Sequence, residues 1–179
     1  TYFATAEAAA LVGAEPVFVD VDLNTACMDA KSLAAAVEMV EQTGGRPKAV
    51  IAVDLFSLPA DYAAISEVCA AKGMKLIIDA AQSFGTVTGN GRACGQGDAA
   101  ATSFYPSKSL GGYGDGGAMF TRDPGIAARA RAMVESLGLN PAEYESLFER
   151  FRHRELRTPT EFERELNRFK PLALSVYSG

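Results

Sequence analysis

The strongest constraint on how this 179-residue chain can fold is the alternation of short β-branched runs with helical stretches. "PVFVDV" (16–21), "KAVIAVDLF" (48–56), "KLIID" (75–79), "AAATSFY" (99–105) and "GAMFT" (117–121) all have the length and composition of strands. The second is almost continuously apolar, which predicts a strand buried on both sides. Helical patterns lie between them. "ATAEAAALVGA" (4–14) stops at Gly13, and Asp29 is placed to cap "AKSLAAAVEMVEQ", in which Leu33, Val37 and Val40 share one face. "PADYAAISEVCAAKG" (59–73) opens with Pro59, repeats Ile65, Val68 and Cys69 at helical spacing, and stops at Gly73. Asp123 and Pro124 then start a helix with Ile126, Ala130, Met133 and Leu137 on one side. Strands alternating with helices imply right-handed crossovers and a largely parallel sheet covered on both faces, an α/β fold.

Composition narrows the chemistry. No run approaches the roughly 18 apolar residues of a membrane span, and the N-terminus lacks a basic, signal-like region, so a cytoplasmic protein without membrane contact is expected. A net charge of −5 with mixed signs argues against a nucleic-acid partner, which would need a basic face. Cys27, Cys69 and Cys94 are widely spaced, odd in number and without CxxC spacing, as in reduced, buried thiols. His153 is the only histidine, which excludes a zinc site built from several histidines and speaks against a histidine-based triad. Catalysis, if there is any, falls to lysine, carboxylates or a cofactor.

After Gly138 the composition shifts. Fourteen of the 30 residues from Pro141 to Lys170 are charged, seven of each sign, and the pattern predicts solvated helices broken near Thr158–Pro159. The expected organisation is therefore a domain over 1–138 and a charged helical extension over 139–179. The chain starts at Thr1, without methionine and directly before a helix, as a fragment of something longer would.

"SFYPSKSLGGYGDGG" (103–117) is the least generic stretch. Its "GYGDGG" matches G-x-G-x-x-G, but the dinucleotide fingerprint follows a strand and opens a helix, whereas these glycines precede the strand-like "AMFT". Lys108 carries more information. Of six lysines it alone sits in a small-residue loop after a buried strand, and such loops at the carboxyl ends of parallel strands are where open α/β sheets place ligands. There a lysine is either an ordinary surface residue or, withdrawn from water, a nucleophile for carbonyls. Asp79 ends the apolar run of "IIDAAQSFG" (77–85), either as a turn former or as an acid on the same sheet edge as Lys108. An acid and a lysine meeting there is the pair that a pyridoxal phosphate site requires, the lysine for the aldehyde and the acid for the pyridine nitrogen.

"TYFATAEAAALVGAEPVFVDVD", "VDLFSLPADYAAI", "LIIDAAQSFG" and "TSFYPSKSLGGYGDGGAMFT", in this order, resemble the DegT/DnrJ/EryC1/StrS family of pyridoxal-phosphate-dependent sugar aminotransferases over about residues 1–138. The resemblance implies an α/β/α sandwich, the large domain of fold-type-I enzymes, here partial. It implies Lys108 as the Schiff-base lysine and proton shuttle, and Asp79 as the partner of the pyridine nitrogen. Gln82 would lie near the ring's phenolic oxygen, Ser103 would bind the cofactor phosphate, and Tyr2 would stack on the ring. The implied reaction moves an amino group, usually from glutamate, to a keto-sugar nucleotide. The lysine motif looks most like members acting on UDP-linked 3-keto uronic acid sugars. A homodimer is implied at full length, but complete members are about twice this long. The alternative is a truncated, non-catalytic domain that keeps the fold and binds cofactor weakly or not at all.

Overall fold

A computed structural model describes residues 2–89, 91–112 and 116–136, so His153 and the predicted charged extension lie outside the described residues. These residues divide between two compact units, Thr1–Thr102 with Met119–Thr121, and Ser103–Ala118 with Arg122–Gly179.

The first unit opens with helix α1 (Phe3–Leu11), followed by an irregular segment and helix α2 (Ala30–Gln42). The Asp29 side chain accepts from the Ser32 backbone N–H at 2.8 Å, the N-cap that the sequence predicts. Strand β1 (Ala49–Val53), helix α3 (Tyr62–Lys72), strand β2 (Lys75–Asp79) and strand β5 (Ala99–Ser103) then alternate, with a two-residue hairpin of β3 (Val87–Thr88) and β4 (Gly91–Arg92) after β2. β1 pairs with β2 in parallel, Val53 opposite Asp79, and β2 pairs with β5 in parallel, Asp79 opposite Ala101. With β6 (Gly117–Phe120) the sheet order is β1-β2-β5-β6, so β2 is an interior strand. The α/β fold expected from the alternation is the observed one.

Strand side chains alternate across a sheet, and only one of the two faces is fully buried. Val50, Ala52, Leu76, Ile78 and Ala100 form that face, packed with Leu33 and Val37 of α2 and Ile65 and Cys69 of α3. Ile51, Val53 and Ile77, on the other face, are half-buried, so the expectation of strands buried on both sides is not met among the described residues. Cys27 and Cys69 are buried free thiols and Cys94 is half-buried.

Helix α3 starts differently from its expected boundary. Pro59 precedes it, and Asp61 is the N-cap, accepting from Ala64 N–H at 3.1 Å. Its end is as expected, because Gly73 adopts φ +64, a left-handed turn that only glycine takes without strain. Gly97 is required for a second reason. A Cβ there would stand 2.8 Å from the Leu76 carbonyl oxygen, in the stretch where Asp98 N–H donates to that same oxygen.

The largest correction concerns "PVFVDV". No strand forms over 16–21; a lone bridge joins Val21 to Met28, and Phe18 is 82% exposed. A strand is a paired state, and β-propensity supplies no partner for the ladder.

In the second unit, helix α4 (Pro124–Ser136) begins where the sequence predicts. Pro124 takes the first helical position, and Asp123 accepts from Gly125 and Ile126 N–H at 2.7 and 3.1 Å. Of the apolar side expected there, Leu137 lies outside the described residues, and the rest is not buried: Met133 is 66% exposed and no residue of α4 is buried.

Candidate functional site

Three stretches of the first unit meet at the carboxyl end of β2. Asp79 closes the strand, half-buried, and its carboxylate takes two donors. The Ala81 N–H reaches Oδ1 at 3.1 Å, and the Thr5 hydroxyl, from the first turn of α1, reaches Oδ2 at 2.6 Å. Each carboxylate oxygen has two lone pairs, so both can accept a further donor. Tyr2 is the N-cap of the same helix, its carbonyl accepting from Thr5 N–H at 3.2 Å, and its ring is 75% exposed. Gln82, in the turn after β2, accepts the Phe56 N–H on Oε1 at 2.9 Å. A backbone donor on that oxygen settles which end of the amide is which, because a flipped amide would set its NH₂ against an N–H. The first unit thus sets Asp79 and Gln82 three residues apart at the end of β2 and bonds Asp79 to α1, the helix that Tyr2 caps.

Ser103 and Lys108 belong to the second unit. Ser103 Oγ accepts from Tyr105 N–H at 3.2 Å, and the half-buried Lys108 donates its backbone N–H to the Tyr105 carbonyl at 2.9 Å. Two backbone bonds close the loop around this lysine at its base, from Gly112 N–H to the Phe104 carbonyl and from Phe104 N–H to the Gly116 carbonyl, at 2.9 and 2.7 Å. Phe104 itself is buried. The glycines are sterically necessary in part, since a Cβ on Gly111 would lie 2.3 Å from the Pro106 carbonyl oxygen. The "KSLGG" pattern therefore folds the chain tightly beside Lys108, while residues 113–115 of the G-x-G-x-x-G match lie outside the described residues.

Two residues of this region escaped the sequence reading. Thr5 sits 74 positions from the carboxylate it holds. Asp54, read as part of the strand over 48–56, in fact follows the end of β1 and is fully buried. Its Oδ1 accepts from Ala60 N–H at 3.0 Å, and its Oδ2 accepts from the Tyr62 hydroxyl at 2.5 Å and from the Ser83 hydroxyl. The available signal was its place: Asp54 follows an apolar strand as Asp79 ends one, and the register puts Val53 opposite Asp79.

Burial pushes the Asp54 carboxyl above the usual carboxylate range, against the Ser83, Tyr62 and Ala60 donors that pull it down. Burial, with Asp54 beside it, also pushes the Tyr62 phenol up. A raised folded-state value means that the stability contributed by Asp54 is fully present below its ordinary value of 3.8 and is lost as pH rises through the raised one. Asp54→Asn, close in shape and without charge, removes that dependence. In urea melts from about pH 3.5 to 7, the stability of wild type minus that of the variant is expected to fall as pH rises. A constant difference would contradict the assignment.

The residue types suit a planar, anionic, heteroaromatic ligand. In the first unit Asp79 can accept from a protonated ring nitrogen, Tyr2 carries an aromatic ring and Gln82 an amide; the second unit, taken by itself, carries the Ser103 hydroxyl and the Lys108 amine on one loop. These are the donor and acceptor types that pyridoxal phosphate needs, and the residues present fit it. Among the described residues no three His, Cys, Asp or Glu side chains cluster to hold a metal ion, and no helix is long and apolar enough to cross a membrane.

Comparison with known proteins agrees with this chemistry. The chain is 47% identical over 134 residues to the UDP-2-acetamido-2-deoxy-3-oxo-D-glucuronate aminotransferase of Pseudomonas aeruginosa, covering 75% of this chain and 36% of that protein. It is 41% identical over 134 residues to the UDP-N-acetyl-3-dehydro-alpha-D-glucosamine 3-aminotransferase of Acidithiobacillus ferrooxidans, covering 74% and 34%. The crystal structure of a DegT DnrJ EryC1 StrS aminotransferase from Brucella abortus superposes with a TM-score of 0.73 at 49% identity, over 75% of this chain and 36% of that one. The chain thus spans about a third of the length of these proteins. The family model matches residues 1–155, a range that includes Tyr2, Asp79, Gln82, Ser103 and Lys108. By that match, the chain belongs to the DegT/DnrJ/EryC1/StrS aminotransferase family.

Proposed function

We propose that this chain is part of a pyridoxal-phosphate-dependent aminotransferase that moves an amino group from an amino acid, in this family usually glutamate, to a nucleotide-linked keto sugar. The observation that carries the proposal is Asp79, a carboxylate ending an interior parallel strand with Gln82 three residues on, held at both oxygens by Thr5 and Ala81. The similarity to an enzyme named for a UDP-linked 3-oxo-glucuronate supports that substrate class and a role in amino-sugar and surface-polysaccharide biosynthesis. A cytoplasmic homodimer at full length belongs to the same reading.

The cofactor, when bound, supplies an aldehyde that takes up amines and a pyridine ring that withdraws electrons from the carbon bearing the nitrogen. The chain's own groups do the rest. Lys108 Nζ would hold the cofactor through its aldehyde and, as a free amine, would carry the proton that moves to or from the substrate carbon. Asp79 keeps a proton on the pyridine nitrogen, which lets the ring accept electrons. The Gln82 amide would serve the phenolic oxygen, the Ser103 hydroxyl the phosphate, and the Tyr2 ring the face of the pyridine.

The second reading is a domain that keeps the fold but binds the cofactor weakly or not at all. A single experiment separates the two. Titrating the purified chain with pyridoxal phosphate is expected to give the visible absorbance band of a lysine-linked cofactor, absent in Lys108→Ala. No band at saturating cofactor would reject the proposal in favour of the second reading.

A further inference from the structure

The loop over 54–60, between β1 and α3, is fastened at one point to the end of β2 and at three to the turn over 80–86 that follows it. Asp54 N–H donates to the Asp79 carbonyl at 3.0 Å, and Phe56 N–H donates to Gln82 Oε1 at 2.9 Å. The Thr86 hydroxyl lies 3.4 Å from the Ser57 carbonyl, and the Ser83 hydroxyl donates to Asp54 Oδ2. The last link differs from the others in being wholly buried, with both residues at 0% exposure. Asp54 is anchored in turn by Ala60 N–H and by the Tyr62 hydroxyl, so three donors converge on one side chain. A carboxylate accepts all three without bringing a donor of its own, which neither asparagine nor serine can do.

The loop on the other side of this link is strained. Phe56 and Ser57 adopt φ +54 and +63, left-handed conformations that residues other than glycine rarely take. Such conformations persist where the surroundings over-determine them, and they gather at binding sites. Here the surroundings include the Gln82 amide on Phe56 N–H, and Gln82 is the neighbour of Ser83.

We propose that Asp54 is a positioning residue of the candidate site: through the Ser83 hydroxyl it holds the turn that aims the Gln82 amide, and with it the strained Phe56–Ser57 backbone. The role of Gln82 toward the cofactor rests on the function proposed above; the mechanical link from Asp54 to Gln82 does not. Asp54 touches no reacting atom and acts only through its neighbours. Ser83 and Tyr62 each give Asp54 one buried hydrogen bond, but only Ser83 lies on the turn.

That asymmetry supplies the test. Amide hydrogen exchange of the full chain, without cofactor, is compared for wild type, Ser83→Ala and Tyr62→Phe. Exchange at Phe56 is expected to accelerate about tenfold in Ser83→Ala and to stay near wild type in Tyr62→Phe, although each loses one hydrogen bond. Equal acceleration in both, or none in Ser83→Ala, would overturn the proposal. A second arm uses pyridoxal phosphate itself. Its dissociation constant is expected to rise about fivefold in Ser83→Ala and in Gln82→Ala, and no further in the double variant, because both changes remove one aimed amide. Additive losses would assign Ser83 a merely structural role. A chain that binds no cofactor sinks the function proposed above, while the exchange measurement still decides the link.

Discussion

Asp79→Ala is expected to weaken pyridoxal phosphate binding by about ten- to a hundredfold, the size of one hydrogen bond to a charged partner, about 1.5–3 kcal/mol. The reason is local. Asp79 supplies the carboxylate at the end of β2, and the Thr5 hydroxyl and Ala81 N–H already hold it in place, so a ligand does not have to order it. Titration of the visible band measures the effect directly. Asp79→Asn keeps an acceptor but not the charge and should fall between wild type and alanine, which separates the charge from the shape. Both variants should retain the far-ultraviolet circular dichroism of wild type. Unchanged affinity in Asp79→Ala would remove the acid from the proposed site, and with it the claim that β2 ends at the cofactor's ring nitrogen.

Ile65→Ala is expected to cost about 3–4 kcal/mol of unfolding free energy, near the upper part of the range for buried isoleucine. Ile65 is fully buried on α3 and is among the largest side chains with no exposure at all. It packs in the cluster that joins α2, α3 and the covered face of β1 and β2. Close-packed interiors do not collapse around a deleted side chain, so a cavity remains and adds to the lost transfer energy. Urea denaturation followed by circular dichroism provides the number. A loss below about 1 kcal/mol would mean that this core is not assembled in solution.

The two effects differ in kind, and the same elements explain why. β1 and β2 point one set of side chains into the core with Ile65, while the Asp79 carboxylate, on the opposite parity of β2, stays half-buried and meets α1. One strand thus carries a stability position at Ile78 and a chemical position at Asp79, side by side.

Much of this was legible from local spacing. β2 runs over 75–79 as its apolar run predicts, Asp29 caps α2, Gly73 stops α3, and Pro124 starts α4. Each of these depends on residues within a turn or two of one another, which is the range over which capping, backbone φ and side-chain periodicity act. The lysine loop was legible as unusual, but its glycines were ambiguous until Gly111 proved to lie against Pro106, five residues back.

What local spacing could not supply is equally specific. "PVFVDV" has strand composition, yet among the described residues only Val21 finds a bridge. Asp54 looked like the tail of a strand and is instead the buried acceptor of three donors, two of them the side chains of Tyr62 and Ser83. Thr5 looked like one more small residue in an alanine-rich helix and turns out to hold Asp79. By itself, then, the order of residues determined the α/β alternation, the ends of most helices and strands, and the residue types available for cofactor chemistry, because those follow from backbone sterics and nearest neighbours. Only the tertiary structure decided which buried carboxylate supports which turn and which hydroxyl meets Asp79, because contacts 29 and 74 residues apart exist only once separate elements have packed.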